Sequence, residues 1–315
     1  MNGPGNAPIS ALSNAVINGP VDGPVDTVLG TLGFDVGSPV GIFVFCCVFT
    51  FAVVTVIWLV GLFQPTHSMM DAWYGFAYAV PAWFAFYLGS GAHSQVAALL
   101  LLMVTLHGGR LGYYLCARWR RLTKALGGDP RYIGFAEQFS PGYWWKSFFR
   151  VMEPQAVLIV VAGCPAVWGI LAARDSTEQP GILSALGFLV FGVGLYFETA
   201  ADAQLQAFLA DKPHNQGRYL NTGVWTHSRH PNYFGTTTVW WGIWLVAVDG
   251  APSAWWTVIG PVVNTLLLTV IAGARFQDSI MGTRPEYRKL MARTRAFLPL
   301  PVAARSDDQQ TAARS

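Results

Sequence analysis

Seven stretches of this 315-residue chain read as crossings of a lipid bilayer, and that pattern leaves little freedom in fold class. A backbone in hydrocarbon must satisfy every N–H and C=O internally, so apolar spans of roughly 20 residues become helices. The stretches are residues 41–63, 72–88, 96–116, 151–172, 182–201, 233–248 and 255–272. Only 12% of residues are charged and 53% are hydrophobic, whereas soluble domains usually carry about twice that charge. The expectation is an all-α polytopic membrane protein, a seven-transmembrane-helix bundle. One embedded domain, 41–301, lies between flexible tails at 1–40 and 302–315.

Charge placement sets an expected orientation. Eight Lys or Arg lie between residues 110 and 150, three between 212 and 229, and eight from 275 onward; Arg174 stands alone. Seven crossings with the N-terminus outside put all three groups on one face, which the positive-inside tendency makes cytoplasmic. The inner or plasma membrane of a bacterium is the expected location. The first 40 residues lack Lys and Arg and do not make a signal peptide. No basic arm suits nucleic acid. Cys46, Cys47, Cys116 and Cys164 read as small hydrophobes, and the six histidines show no metal-ligand spacing, so no metal is expected. The sequence leaves open whether the chain is a monomer or a homo-oligomer.

The densest polar chemistry lies at 221–235, between two apolar segments. Trp225, His227, Ser228, Arg229, His230, Asn232 and Tyr233 converge there, with Gly223 and Pro231 marking turns or helix boundaries. A lipid-buried helix does not carry Arg-His cheaply, so the stretch belongs at a surface or beside a polar cavity. Its donors suit a phosphate or an amide-bearing ring. Arg218 and Arg229 are candidate pyrophosphate partners by their fork geometry. No G-x-G-x-x-G is present, so any dinucleotide must lie between helices.

Glu198 and Asp202, four apart, share a helix face. They are either bound to Arg110 or Arg229, or free to clamp ribose hydroxyls or an amide. His107, Arg110 and Arg118 fall at roughly helical spacing, while Arg120, Arg121 and Lys124 read as topology anchors. Asp71 is a helix cap or a site residue. Glu153 is a first-turn acid favoured by the helix dipole. Gly187, Gly192 and Gly194 suggest a close helix contact, and the basic run near 284–295 suggests an interfacial helix.

Several motifs together resemble a known family. They include Met70-Asp71-Ala72-Trp73, Asp129-Pro130-Arg131-Tyr132, Phe197-Glu198 with Asp202, and Asn221-Thr222-Gly223-Val224-Trp225. Leu106 to Leu111 with Arg110, Ser228-Arg229-His230-Pro231-Asn232-Tyr233-Phe234-Gly235, Trp240-Trp241-Gly242, Arg284-Pro285-Glu286-Tyr287 and Arg293-Thr294-Arg295-Ala296-Phe297-Leu298-Pro299 complete the set. Across roughly 69–301 the chain resembles the DUF1295 integral membrane proteins, related to the C-terminal domain of steroid 5-alpha-reductases. The resemblance implies a seven-helix bundle that takes NADPH from the cytosolic side and reduces a carbon–carbon double bond in an apolar enone. Such a substrate would be a 3-oxo-4-ene steroid or related lipid, reached from the surrounding membrane lipids. It implies cofactor contacts at Glu198, Asp202, Asn232 and Tyr287. Arg110, Arg118, Arg218, Ser228, Arg229, His230 and Tyr233 join them as candidates, with Tyr233, Glu153 and Asp71 as candidate catalytic donors. Thr236 stands where both groups usually place a glutamate, and Gln277-Asp278 where acidic residues are usual. A membrane methyltransferase using S-adenosylmethionine shares the Arg-His-Pro-x-Tyr stretch and is the alternative enzyme. A non-catalytic lipid- or sterol-binding protein is the third reading.

Overall fold

The computed structural model describes residues 24–89, 94–177, 179–271 and 273–300. The expected tails at 1–23 and 302–315 lie outside the described residues. Residues 24–40, expected to be flexible, instead carry a short helix, Pro24–Thr31, and the cap of the first long helix.

Among the described residues the chain is helical, with no strand and one isolated bridge, Ser228 to Arg295. Five helical spans are long and apolar enough to cross a membrane: Pro39–Gly61, Gln95–Leu126, Tyr143–Ala172, Ile182–Ala210 and Pro252–Ile271. The protein is therefore an integral membrane protein. The labels used below are α1 (Pro39–Gly61), α2 (Phe76–Leu88), α3 (Gln95–Leu126), α4 (Pro130–Gln138), α5 (Glu153–Ala172), α6 (Ile182–Ala210), α7 (Pro231–Gly250), α8 (Ile259–Leu266), α9 (Ala274–Met281) and α10 (Pro285–Arg293).

Two of the seven expected crossings fall outside those five. The second, α2, is a helix of 13 residues, about 20 Å at 1.5 Å per residue. The helical turn Met69–Tyr74 precedes it across Gly75, itself in right-handed helical geometry. The sixth, α7, has 20 residues, but Asn232, Thr236–Thr238 and three tryptophans make it less apolar than the others.

Local chemistry fixes the ends. Ser38 caps α1, its hydroxyl accepting the Gly41 N–H at 3.1 Å, and Ser94 does the same for α3 with Ala97 at 3.2 Å. Gly127, at φ +78°, ends α3 in the left-handed conformation that favours glycine. The fourth crossing enters through a π-helical turn, Phe148–Met152. The seventh starts with a 3-10 turn, Pro252–Val258, continues as α8, and loosens into a π turn, Leu267–Ile271.

Outward faces are apolar. Val44, Val48 and Val56 on α1 and Ile182, Leu186, Leu189 and Val193 on α6 are exposed, as a lipid-facing band requires. The core is tighter: Ile42, Met70, Leu100, Met103, Met152, Ile170, Trp240 and Ile243 are fully enclosed.

Helices α6 and α7 meet along glycines. A methyl at Gly187 would lie 2.7 Å from the Gly242 carbonyl oxygen, and one at Gly194 would lie 2.6 Å from the Val239 nitrogen. Gly192, expected to share this role, faces open space. Replacing Gly194 by Val is expected to force the helices apart at a cost of about 1–3 kcal/mol. Gly192→Ala should raise stability slightly by removing helix entropy. Thermal unfolding in detergent compares the two, and equal destabilisation would remove the close-contact account.

Candidate functional site

The close approach of α6 and α7 brings four polar side chains together. Glu198 and Asp202 on α6 face Asn232 and Thr236 on α7. Thr236 donates to Glu198 Oε1 at 2.8 Å, and Asn232 Nδ2 donates to Asp202 Oδ1 at 3.3 Å. From α3, Arg110 fills the space between the acids. Its Nη1 lies 3.1 Å from Glu198 Oε1, and its Nη2 donates to the Glu198 backbone carbonyl at 2.9 Å and to the Asp202 carboxylate. His107 Nδ1 sits 3.1 Å from Glu198 Oε2. Glu198 is 1% exposed and Asp202 5%. Two carboxylates so enclosed need a cation between them, and Arg110 supplies it. The acid pair is thus bound to Arg110, the first of the two partners weighed from sequence. Thr236 takes up one Glu198 oxygen where a glutamate would have repelled it.

A second cluster stands across the cavity at the start of α4. Asp129 caps α4 by accepting the Arg131 N–H at 2.9 Å and pairs with Arg118 at 2.7 Å and Arg131 Nε at 3.0 Å. Burial works against this carboxylate, but the hydrogen bond and charge of Arg131, joined by Arg118, hold it below the usual range. Asp71 pairs with Arg131 at 2.5 Å and accepts from the Tyr132 hydroxyl at 3.1 Å. Asp71 therefore tethers α4 to the turn Met69–Tyr74 while keeping one face on the cavity.

The third cluster is a clasp between the 228–230 stretch and the C-terminal segment. Arg229 Nη2 reaches Asp278 Oδ2 at 2.5 Å and its Nε reaches Oδ1 at 3.2 Å, while Nη1 donates to the Thr294 carbonyl. The Arg229 backbone N–H donates to the Arg295 carbonyl at 2.9 Å. Ser228 donates to the Phe297 carbonyl at 2.8 Å. Tyr287 donates to Asp278 Oδ1 at 2.6 Å, and His230 Nε2 approaches the same oxygen at 3.2 Å. Burial opposes the Asp278 charge, but hydrogen bonds from Arg229 and Tyr287 hold its carboxyl below the ordinary range. Burial also lowers His230, against the pull of Asp278, so its ring stays neutral.

Between the first two clusters lies a cavity of ≈ 610 Å³. Asp71, Arg118, Glu198, Asp202, His230, Asn232 and Tyr233, all expected from sequence, line it. Tyr74, Tyr78, Leu111, Leu158, Leu205, Leu267 and Leu268 supply an apolar wall. Arg121 and Arg131 join Arg118 in the lining. Arg121 is thus more than the topology anchor it resembled, and it has no ion pair among the described residues.

The remaining candidates sit elsewhere. Arg110 stands behind the acid pair. Glu153 points away, bound to Thr55 at 3.2 Å, which removes it from the catalytic set. Arg218 is exposed in the loop after α6. The fork of Arg229 already spends four of its five N–H groups on Asp278 and on backbone carbonyls and is 8% exposed, so its charge and its paired face are taken up inside the protein and not offered to a pyrophosphate. Ser228 and Tyr287 are likewise spent in the clasp. Sequence reading missed Asp278, which looked like a departure from the motif but is the hub of the clasp. It also missed Asn264, a single polar residue in a segment without a motif, and read Gln277 only as a departure from the motif and not as a cavity residue.

Ring packing positions the inner end. Tyr78 lies edge-on to Trp240 at 4.8 Å, and Trp240 edge-on to His107 at 5.7 Å. Gly223, at φ +60°, turns the chain against Gln204, whose Oε1 accepts the Val224 N–H at 3.1 Å. Trp225 then donates to the Ala201 carbonyl at 3.1 Å, holding the 221–230 stretch on α6.

A family model, DUF1295, described as a protein of unknown function, matches residues 57–294. No curated protein and no solved structure matches the chain. The matched region takes in the first two polar clusters, the paired side chains of the third and the whole cavity lining, and the chain belongs to the DUF1295 family.

Proposed function

We propose that this DUF1295 member is a membrane-embedded oxidoreductase that uses NADPH to reduce the carbon–carbon double bond of an apolar enone, such as a 3-oxo-4-ene steroid or related lipid. One observation carries the reading: a single cavity is lined by three arginines and three carboxylates, with amides including Asn232 among them, and leucines and tyrosines elsewhere. That donor set fits the cofactor. Arg118, Arg121 and Arg131 suit phosphates, and Asp202 with Asn232 suits ribose hydroxyls or a carboxamide. The motif resemblance to steroid 5-alpha-reductases supports the same assignment. Charge placement favours a cofactor entrance on the cytoplasmic face.

NADPH, when bound, supplies a hydride to the electrophilic carbon of the enone. The chain's own contribution is to orient, to exclude water and to stabilise charge on the carbonyl oxygen. Tyr233, in the cavity lining, is the donor we assign to that task. Gln277 Nε2 donates to its oxygen at 2.5 Å, leaving the phenolic proton unspent among the described residues. Asp71 is committed as an acceptor to Arg131 and Tyr132, so it orients α4 in place of donating a proton.

Thermal stability in detergent tests the reading, because a ligand that binds only the folded state raises it. NADPH should stabilise the protein, and Arg118→Ala with Arg121→Ala should diminish the shift. Tyr233→Phe should keep the NADPH shift but lower enone reduction by roughly 10²–10³. Stabilisation by S-adenosylmethionine with none from NADPH would replace the proposal with a methyltransferase. Silence from both would leave lipid binding.

A further inference from the structure

The clasp leaves one face of the C-terminal segment turned outward. Tyr287 and Leu290 on α10 and Thr294 just after it, at i, i+3 and i+7, are buried or half-buried, so the less polar stripe of this helix lies against the bundle. The interfacial helix expected from sequence would have turned that stripe to lipid. What remains outward is basic: Arg284, Arg288, Lys289, Arg293 and Arg295 are exposed, as is Arg275 on α9. Among these six only Lys289 has an ion pair within the described residues, with Glu286 at 2.8 Å. Glu286 is also the one exposed acid between residues 274 and 300. Apolar side chains flank the cations, with Ile271 65% and Ile280 54% exposed. The seventh crossing ends at Ile271 and α9 begins three residues later at Ala274, a length of chain that reaches at most about 10 Å. The basic face therefore starts at the level of the lipid headgroups.

We infer that this face binds anionic phospholipid: headgroup phosphates of the surrounding leaflet accept hydrogen bonds from Arg284, Arg288, Arg293 and their basic neighbours, while Ile271 and Ile280 enter the headgroup boundary. Guanidinium forks match phosphate oxygens two at a time, and each further cation beside an anionic leaflet adds to the attraction. Basic residues beside exposed isoleucines suit a bilayer surface; an acidic protein in the aqueous phase would not reach Ile271 at the end of the crossing. Lipid on the outside of α10 and the clasp on its inside hold the same helix. Anionic lipid thus stabilises the 274–300 segment by binding its folded form alone. None of this depends on a reductase activity.

The test uses the full chain in nanodiscs of phosphatidylcholine alone or with phosphatidylglycerol added. Chymotrypsin, which does not cut at Lys or Arg, probes residues 274–300. Phosphatidylglycerol should slow cleavage of the parent by about fivefold or more at low salt, and molar salt should remove the protection. Arg288→Gln combined with Lys289→Gln and Arg293→Gln should abolish it. That variant should match the parent in phosphatidylcholine, in cleavage and in thermal unfolding, because none of its three altered side chains joins the clasp. Arg120→Gln with Lys124→Gln, at the exposed end of α3, should leave the protection intact. Equal cleavage in the two lipids, or protection that survives the triple substitution, overturns the proposal. Loss of protection in the α3 variant as well would mean a diffuse effect of net charge, with the same consequence. Protection by soluble polyglutamate with none from phosphatidylglycerol would give the face to an acidic protein and overturn it too.

Discussion

Asp278→Ala is expected to release the C-terminal segment from the bundle and to cost about 3–5 kcal/mol, because it leaves a buried cation without its partner. Asp278 is the common acceptor for Arg229, His230 and Tyr287, and its loss strands three side chains that are each less than a tenth exposed. Protease cleavage between residues 274 and 300, together with thermal unfolding, reads the result. Arg229→Ala should give nearly the same phenotype. Arg229→Met combined with Asp278→Leu should recover part of the loss, since a buried pair replaced by apolar residues of similar volume is often neutral. Cleavage unchanged in Asp278→Ala would remove the clasp as a stabilising device.

The same clasp gives a pH dependence of known sign. The folded Asp278 carboxyl titrates below its ordinary value. Its contribution is whole above about pH 3.9, the ordinary carboxylate value, and is lost as pH falls through the lower folded value. His230 is also lowered on folding, so its contribution is whole above about pH 6.5 and is lost as pH falls below that. Both act in one direction, and protease sensitivity of residues 274–300 should rise on acidification. Asp278→Ala should flatten the lower part of that dependence.

Arg110→Met is the second large effect, again about 3–5 kcal/mol. It leaves Glu198 and Asp202 facing each other inside the protein, with His107 and Thr236 on Glu198 and Asn232 on Asp202 as the remaining polar partners. Asp202→Asn added to Arg110→Met should restore part of the stability by deleting one of the two charges. Asp202→Asn alone should fold and should weaken the NADPH response, because Asp202 lies in the cavity wall. If Arg110→Met unfolds at the parent temperature, the acid pair does not need its cation and the buried-cluster account falls.

Neither pair could be assigned from sequence. Glu198 and Asp202 share a helix face by their spacing, but two arginines were available as partners. The choice of Arg110 follows from the crossing of α3 with α6, which periodicity does not encode. Arg229 looked like a phosphate ligand because its residue type and its motif permit that role. Only the return of the chain through α9 and α10 brings Asp278 and the Thr294 carbonyl to its fork. Gly192 and Gly194 are equivalent as letters, yet one faces open space and the other touches Val239, because α7 passes along a single side of α6.

What the amino-acid order settled by itself was the solvent and the secondary structure. Long apolar runs with sparse charge require helices in lipid, since an unpaired backbone group there has no water to meet. It also carried the motifs of the family and seven of the residues that line the cavity. Which of those polar groups remain free for a ligand, and which are consumed in holding helices together, was decided by the packing. A guanidinium has a fixed number of N–H groups, and the tertiary fold determines what they face.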